Sequence, residues 1–250
     1  MTTHEMIPSR TNPAGTIPDR MNPGGMNPND TTTRRGLGLG LLAAAAGLTL
    51  APGIAAAQDL QPIDLPPPRA DFGVALAQAL KQRRSTRDFA PRALPPLVLS
   101  EVLWSAYGVN RPATADRTAP SWRHARETEI YTVMADGVWR YDPIAHRLLP
   151  VLGKDVRAQT GVQDFVGTAP LELVYVSNAE HMSGVTQAEQ HRFAAADIGC
   201  IGQNVYLYCA SEGLACVFRA SFDQARLSRT LNLAETQFIM FVQTLGYPKA

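Results

Sequence analysis

The segment "RRSTRDF", residues 83–89, places three arginines and a serine within five positions. It follows the apolar run "FGVALAQAL", residues 72–80, which predicts a helix over about 72–83. Arginine presents a rigid fork of donors that suits a phosphate dianion, and a serine hydroxyl can complete such a site. The alternative is a solvated basic turn at a helix C-terminus, where arginines are favoured in any case.

The chain as a whole is close to neutral, so any anion site must be local. Its 250 residues carry a formal net charge of +1, and 45% of them are hydrophobic. This composition supports a globular core and argues against a nucleic-acid-binding protein. Neither a P-loop nor a Rossmann glycine motif is present. Cys200, Cys209 and Cys216 lack metal-ligand spacing, so we expect buried free thiols and no metal site.

The first 57 residues have the features of a disordered leader followed by an export signal. Prolines at 8, 13, 18, 23 and 28 punctuate a polar segment that cannot bury a core. Arg34 and Arg35 then precede an apolar run from Leu37 to Leu50, which is short for the ~30 Å core of a bilayer. Small residues up to Ala57 predict a cleavage site.

The arginine pair favours a twin-arginine (Tat) signal over an ordinary Sec signal, and Met26 is an alternative start. The sequence therefore predicts a periplasmic or otherwise exported protein, recognised by the Tat machinery and without a stable membrane anchor after cleavage. Residues 58–70 form a proline-rich lead-in to a single domain at 71–250.

Helix and strand signals alternate along this domain without a strict βαβ rhythm, which favours the α+β class. A second helix is expected from Pro95–Pro96 to Gly108, and strands over residues 129–135, 171–177, 214–220 and 238–247. The segment 137–151 predicts a hairpin. The longest helix, 187–212, begins at a Thr186–Glu189 capping box and is apolar on several sides. Its Gly199 and Gly202 suggest a close helix contact in a dimer.

A family resemblance across residues 72–248 rests on the order of several short sequence motifs. These are "RRSTRDF", "APSWRHARETEIYTV", "GQNVYLYCASEGL" followed by "FRASFD", and "LGYP". This order resembles the FMN-dependent nitroreductase-like family. The insert "GVWRYDPIAHRLLPVLGKDVR" resembles its SagB-type branch, which includes oxidases of peptide azolines. The resemblance implies a mixed central β-sheet flanked by helices, with the long helix at a homodimer interface.

The resemblance also implies a set of residues that bind FMN. Arg83, Ser85 and Arg87 correspond to polar groups around the cofactor, with Arg84 beside them. The loop of Pro120, Ser121 and His124 would meet the isoalloxazine ring, with His124 standing where many relatives have asparagine. Ala220 and Ser221 would present backbone N–H groups to flavin N5. The chain ends soon after "LGYP", so Lys249 is the available basic residue there.

No catalytic side chain is expected, because the flavin itself carries the hydride. The sequence thus predicts an exported FMN-dependent oxidoreductase, an oxidase or dehydrogenase acting on a small-molecule or peptide substrate with a second acceptor. The alternatives are a non-catalytic flavin-binding subunit or carrier of the same fold, and an exported structural dimer whose arginines bind nothing.

Overall fold

The computed structural model describes residues 60–249. The predicted leader, the Tat signal and the cleavage site at Ala57 lie outside the described residues. Within them, the strands are β1 (Ile63–Asp64), β2 (Val109–Arg111), β3 (Asp116–Arg117), β4 (Thr128–Met134), β5 (Gly137–Asp142), β6 (Arg147–Leu152), β7 (Leu171–Asn178), β8 (Ala215–Arg219) and β9 (Gln237–Gly246). The helices are α1 (Leu76–Gln82), α2 (Pro96–Tyr107), α3 (Gln187–Ser211) and α4 (Gln224–Thr230).

Seven strands form one sheet in the order β1-β6-β5-β4-β7-β9-β8, and β2 pairs with β3 separately. The α+β class is confirmed. The sheet was expected to be of mixed direction, but every ladder in it is antiparallel. The reason is that β9 lies between β7 and β8 and runs against both of them. The chain through α3 therefore does not join two neighbouring parallel strands.

Helix α3 begins and ends close to where the sequence predicts. Thr186 Oγ1 accepts a hydrogen bond from the Glu189 backbone N–H at 3.3 Å, and the Glu189 carboxylate accepts one from the Thr186 N–H at 2.9 Å. Gly213 follows the helix with a φ of +69°, a left-handed conformation that glycine adopts without strain. The helix packs on the sheet through a buried stripe of Ala194, Ile198, Ile201 and Val205.

The two glycines of α3 have different surroundings. A Cβ at Gly202 would stand 2.6 Å from a ring carbon of Phe218 on β8, whereas a Cβ at Gly199 would meet nothing within 4 Å. The prediction that both glycines share one close helix contact is therefore wrong for Gly202, which lets the helix approach its own sheet. Cys200 is exposed rather than buried, while Cys209 and Cys216 are buried free thiols as expected.

The first helix is shorter than predicted because Gly73, with a φ of +86°, turns the chain before Leu76. This turn places Phe72 edge-on against Trp104 and Tyr208, with ring centroids 6.0 and 5.3 Å apart. Helix α4 was not predicted. The second helix and the β5–β6 hairpin agree with the sequence analysis.

The described part of the proline-rich lead-in packs against the domain. Ile63 and Asp64 add β1 to the edge of the sheet. The Arg69 guanidinium donates two hydrogen bonds, at 2.6 and 2.8 Å, to the buried carboxylate of Glu101 on α2, and the Arg69 backbone N–H donates a third at 3.2 Å. Tyr208 on α3 donates to the same carboxylate at 2.8 Å. The lead-in thus contributes to the fold from β1 onward. No helix among residues 60–249 has both the length and the hydropathy needed to cross a membrane.

Candidate functional site

The arginine segment runs in extended conformation from the end of α1 across the edge of the sheet. The Thr86 N–H donates to the carbonyl of Cys216 on β8 at 2.8 Å. Phe89 is buried at the end of the segment and packs with Ala169, Ala215 and Val217. These two anchors attach the backbone of the segment to the edge of the sheet, so the segment is part of the domain surface rather than a loose basic turn.

Tyr206 on α3 joins this segment to the end of β8. Its hydroxyl lies 2.7 Å from Ser85 Oγ and accepts a hydrogen bond from the Phe218 N–H at 2.8 Å. The guanidinium carbon of Arg83 lies 5.2 Å from the centroid of the Tyr206 ring, within the range of a cation–π contact. Tyr206 therefore holds Arg83 and Ser85 against α3 and β8.

The positive charge of the segment is not neutralised by the protein. Among the described residues, no carboxylate lies within ion-pair distance of Arg83, Arg84 or Arg87. Arg84 lines a cavity of about 510 Å³, together with Thr86, Tyr206, Cys209, Cys216 and Pro248 among others. Arg87 and Ser85 are exposed. A cluster of unpaired guanidinium groups beside a cavity can hold a multiply charged anion.

The C-terminal residues lie next to the same segment. Phe89 and Pro248 form an antiparallel bridge, and the Lys249 N–H donates to the Asp88 carbonyl at 3.3 Å. The predicted position of Lys249 near the arginines is thus consistent with the backbone. Ala220 and Ser221 are exposed and directly follow β8, beyond the Phe218 amide that Tyr206 holds.

The loop of Pro120, Ser121 and His124 does not line the cavity beside Arg84. Its three residues line a separate pocket of about 280 Å³, called here the loop pocket, whose other walls are Arg111, Asp116, Arg117, Ala119 and Arg126. Within one chain, the structure therefore gathers Arg83, Arg84 and Ser85 around Tyr206 but places the loop residues at a second pocket.

The loop is held in a strained backbone conformation. Three non-glycine residues in it have positive φ, namely Arg123, His124 and Arg126. Such conformations cost on the order of 1–3 kcal/mol each and persist only where the surroundings impose them. Two contacts with α3 do so here. The Trp122 N–H donates to Asp197 at 2.7 Å, and the Trp122 ring stacks on Phe193 with centroids 4.9 Å apart.

A buried pair of carboxyl groups supports this loop, and the sequence analysis missed it. Glu127 is fully buried at the start of β4, and Asp197 is almost fully buried in the middle of α3. Burial, together with the charge of Asp197, raises the pKa of Glu127 to about 7. Burial also raises the pKa of Asp197. Glu127 Oε2 has no hydrogen-bond donor among the described residues, so a proton on it would complete the pair.

One feature of the sequence could have identified both Asp197 and Tyr206 as residues of the site. Both are polar groups within the apolar stretch of α3, where a buried polar side chain needs a partner. Asn204 shows the same rule, since its amide donates to the Thr118 carbonyl at 3.3 Å, while Gln203 is exposed. Among residues 60–249, no group of three His, Cys, Asp or Glu side chains could hold a metal ion.

Comparison with known proteins gives the same architecture. A structure from Ralstonia eutropha described as a nitroreductase is 40% identical, with a TM-score of 0.72, and the match covers 76% of this chain and 90% of that chain. A protein of Methanocaldococcus jannaschii described as a nitroreductase is 28% identical over 177 residues, which are 67% of this chain and 89% of that protein. The Escherichia coli microcin synthetase McbBCD complex shares the fold at 18% identity and a TM-score of 0.58, over 77% of this chain and 80% of that chain.

The match to a family model decides the assignment. The model described as "Nitroreductase family" matches residues 80–247, a range that starts at the end of α1 and stops after β9. This range contains the arginine segment, the loop pocket, α3 and β8. The chain belongs to the Nitroreductase family.

Proposed function

We propose that this chain is an FMN-dependent oxidoreductase whose arginine segment binds the cofactor's phosphate. Members of the family typically bind flavin. The observation that carries the proposal is the position of Tyr206. Its hydroxyl contacts both Ser85 and the Phe218 N–H, so the unpaired arginines are held beside the strand that leads to Ala220 and Ser221.

The residues of the arginine segment fit the phosphate group of FMN. A phosphate dianion requires donors and positive charge, and three guanidiniums without carboxylate partners supply both. Arg83 and Ser85 are assigned to the phosphate, and Arg87 to the ribityl chain or ring. Lys249 is the candidate for an additional basic ligand. The backbone N–H groups of Ala220 and Ser221 are assigned to the edge of the ring.

The chemistry divides between cofactor and protein in the usual way for flavoenzymes. Bound FMN supplies a hydride acceptor and donor at N5, between an organic donor and a second acceptor. The chain's residues bind, orient and tune it. A guanidinium near the pyrimidine edge favours negative charge on the reduced ring, and Arg87 is the candidate for that role.

A second copy of the chain would bring the two pockets together. In one chain, the loop of Pro120–His124 and the arginine segment line separate cavities. The surface of α3 that faces away from the sheet is exposed at Ala196, Gly199, Cys200 and Gln203. We propose a homodimer that uses this surface and places the loop of one protomer over the flavin of the other.

Export and substrate class complete the proposal. Tat export suits a protein that binds its cofactor before it leaves the cytoplasm, and NAD(P)H is not expected to be plentiful outside. We therefore propose a SagB-type oxidase or dehydrogenase acting on a small molecule or peptide. The microcin synthetase structure contains a bound pro-microcin, which motivates peptides as candidates. A non-catalytic flavin carrier of the same fold is the second candidate, because the described residues that would hold the cofactor include no side chain that itself carries the chemistry.

The deciding experiment is to identify the cofactor in the purified protein by mass and then to reduce it without oxygen. A yellow protein that yields FMN, and whose colour is bleached by a donor and restored by an acceptor, is the expected result. FMN that cannot be turned over would indicate the carrier. Protein that neither retains nor takes up FMN would contradict the proposal.

A further inference from the structure

More positively than negatively charged side chains line the loop pocket. Three guanidinium groups line it, from Arg111, Arg117 and Arg126, and a single carboxylate, that of Asp116. The pocket is distinct from the cavity beside Arg84, with which it shares no lining residue. A pocket with this imbalance suits an anionic ligand.

Asp116 is already saturated by its own neighbours. It accepts hydrogen bonds from Thr114 Oγ1 at 2.8 Å, from Arg111 Nε at 3.3 Å and from Arg126 at 3.4 Å. These donors lower the pKa of Asp116 to about 2, so it is anionic at neutral pH. It therefore pairs with Arg111 and Arg126 and orients both side chains, but its single charge offsets only one of the two.

Arg117 is the group without a partner. No carboxylate among residues 60–249 lies within ion-pair distance of it, and its Nε is buried without an acceptor. One guanidinium nitrogen donates to the Ala115 carbonyl at 2.7 Å, and the group lies 5.6 Å from the centroid of the Tyr107 ring. These contacts fix the guanidinium but do not balance its charge. Burial and the neighbouring charge of Arg126 lower the pKa of Arg117, whereas Tyr107, Tyr141 and Asp142 act in the opposite direction.

We propose that the loop pocket is a binding site for an oxyanion, a carboxylate or phosphate group, with Arg117 as its main ligand. The buried Nε of Arg117 lacks an acceptor, which is costly, and a forked oxyanion can supply one. Ser121 lines the same pocket, and its oxygen accepts a hydrogen bond from the Arg126 N–H at 3.2 Å. The strained loop backbone holds these residues in place before a ligand arrives.

The oxyanion is an acidic group of the substrate, and it would define the substrate class of the proposed enzyme. The phosphate of FMN, assigned above to the arginine segment, is the competing source that the test separates. The inference extends the proposed function, but the site itself does not require flavin. Anion binding at the loop pocket can therefore be detected even if the chain does not bind FMN.

The test measures thermal unfolding of the full chain while sodium phosphate or sodium acetate replaces sodium chloride at constant ionic strength. It is done with FMN present, and again on an Arg83→Ala variant without flavin, so that anion binding at the arginine segment cannot explain the response. A saturable rise in Tm of about 3–5 °C is expected at ten times the apparent dissociation constant. Arg117→Gln should weaken the apparent affinity at least ~10-fold.

Arg229→Gln is the matched control, because Arg229 is an exposed arginine on α4 outside the pocket. If Arg117→Gln does not fold, Arg117→Lys keeps the charge without the forked donors and should still weaken binding. No saturable response in the unmodified chain, or an equal response in the Arg117 and Arg229 variants, would overturn the site.

Separate measurements of FMN and riboflavin affinity identify the source. A loss for FMN alone in Arg117→Gln would show that the pocket binds the flavin phosphate and would overturn the substrate assignment. Unchanged affinities for both, together with the lost anion response, assign it to the substrate.

Discussion

The hydroxyl of Tyr206 lies 2.7 Å from Oγ of Ser85, although 121 positions separate the two residues in the sequence. The same hydroxyl accepts a hydrogen bond from the Phe218 N–H. One oxygen on α3 therefore connects the arginine segment to β8. It acts beside the direct bond from the Thr86 N–H to the Cys216 carbonyl on β8.

Replacing Tyr206 by Phe should weaken FMN binding and reduce stability at the same time. The ring stays beneath Arg83, but Ser85 loses its anchor and the Phe218 N–H loses its acceptor. An unsatisfied buried donor costs about 1–3 kcal/mol, which should appear as a lower urea midpoint. The FMN dissociation constant should rise ~3–10-fold.

Tyr247→Phe is the control for this variant. Tyr247 also lies beneath an arginine, Arg92, with the guanidinium carbon 4.2 Å from the ring centroid. Its hydroxyl makes no hydrogen bond with the described residues, so removing it should change neither the urea midpoint nor the FMN dissociation constant. Equal behaviour of the two variants would mean that the Tyr206 hydroxyl does not organise the segment.

Arg83→Ala should distinguish a phosphate site from a basic turn. Loss of one charge-assisted contact costs roughly 1.5–3 kcal/mol, or about ten- to a hundred-fold in affinity. The loss should be large for FMN and small for riboflavin, which lacks the phosphate. Fluorescence quenching measures both affinities.

Arg92→Ala removes an exposed arginine in the same ring-stacked setting and should leave both affinities unchanged. The same loss for FMN and riboflavin in Arg83→Ala would show that Arg83 does not bind the phosphate.

The two glycines of α3 should respond to alanine with opposite signs. Alanine favours a helix over glycine by about 1 kcal/mol, so Gly199→Ala, in open space, should stabilise an isolated chain by up to that amount. At Gly202 the new Cβ would stand 2.6 Å from the Phe218 ring, which is packed against Phe241 and Tyr175 and has little room to move. Overpacking should outweigh the gain, with a net loss of about 1–2 kcal/mol.

Denaturant unfolding measures these changes, and light scattering reports the association state. Gly199→Leu should disturb association alone if the exposed face of α3 forms the dimer. A monomeric unmodified chain with flavin still bound would remove the proposed dimer. A stabilising Gly202→Ala would contradict the α3–β8 contact described above.

The ends of several helices could be predicted from the sequence, whereas few contacts between distant residues could. The capping box at Thr186, the prolines before α2 and the glycine after α3 are signals within a few residues, and each predicted an element end correctly. Helix α4 lacked a comparably strong apolar period and was missed. The partners of Ser85, Gly202 and Asp197 depend on how α3 crosses the sheet, which no local pattern encodes.

The export signal can be tested without knowledge of the substrate. Arg34→Lys combined with Arg35→Lys keeps the charge but removes the guanidinium pair. The double variant should accumulate as folded protein in the cytoplasm, measured by fractionation and immunoblotting. The matched single change Arg20→Lys lies outside the pair and should export normally. Normal export of the double variant would favour a Sec signal.

The buried pair of Glu127 and Asp197 should make the domain less stable as the pH rises. The pKa of Glu127 is raised to about 7 in the folded chain, above its ordinary value of 4.5. A carboxyl with a raised pKa contributes its stability below the unfolded value and loses it as the pH passes through the folded one. We therefore expect the free energy of unfolding to fall between pH 5 and pH 8.

Glu127→Gln mimics the protonated acid and cannot ionise. Its amide can still donate to Asp197, which is itself held by the Trp122 N–H. The variant should match the unmodified chain at pH 5 and exceed it at pH 8, by ~2 kcal/mol. Part of the slope should remain, because burial also raises the pKa of Glu172 to about 7. Urea unfolding at each pH gives the curves, with the exposed Glu235→Gln as control. A slope identical to that of the unmodified chain would mean that Glu127 stays ionised in the folded protein and that the pair holds no proton.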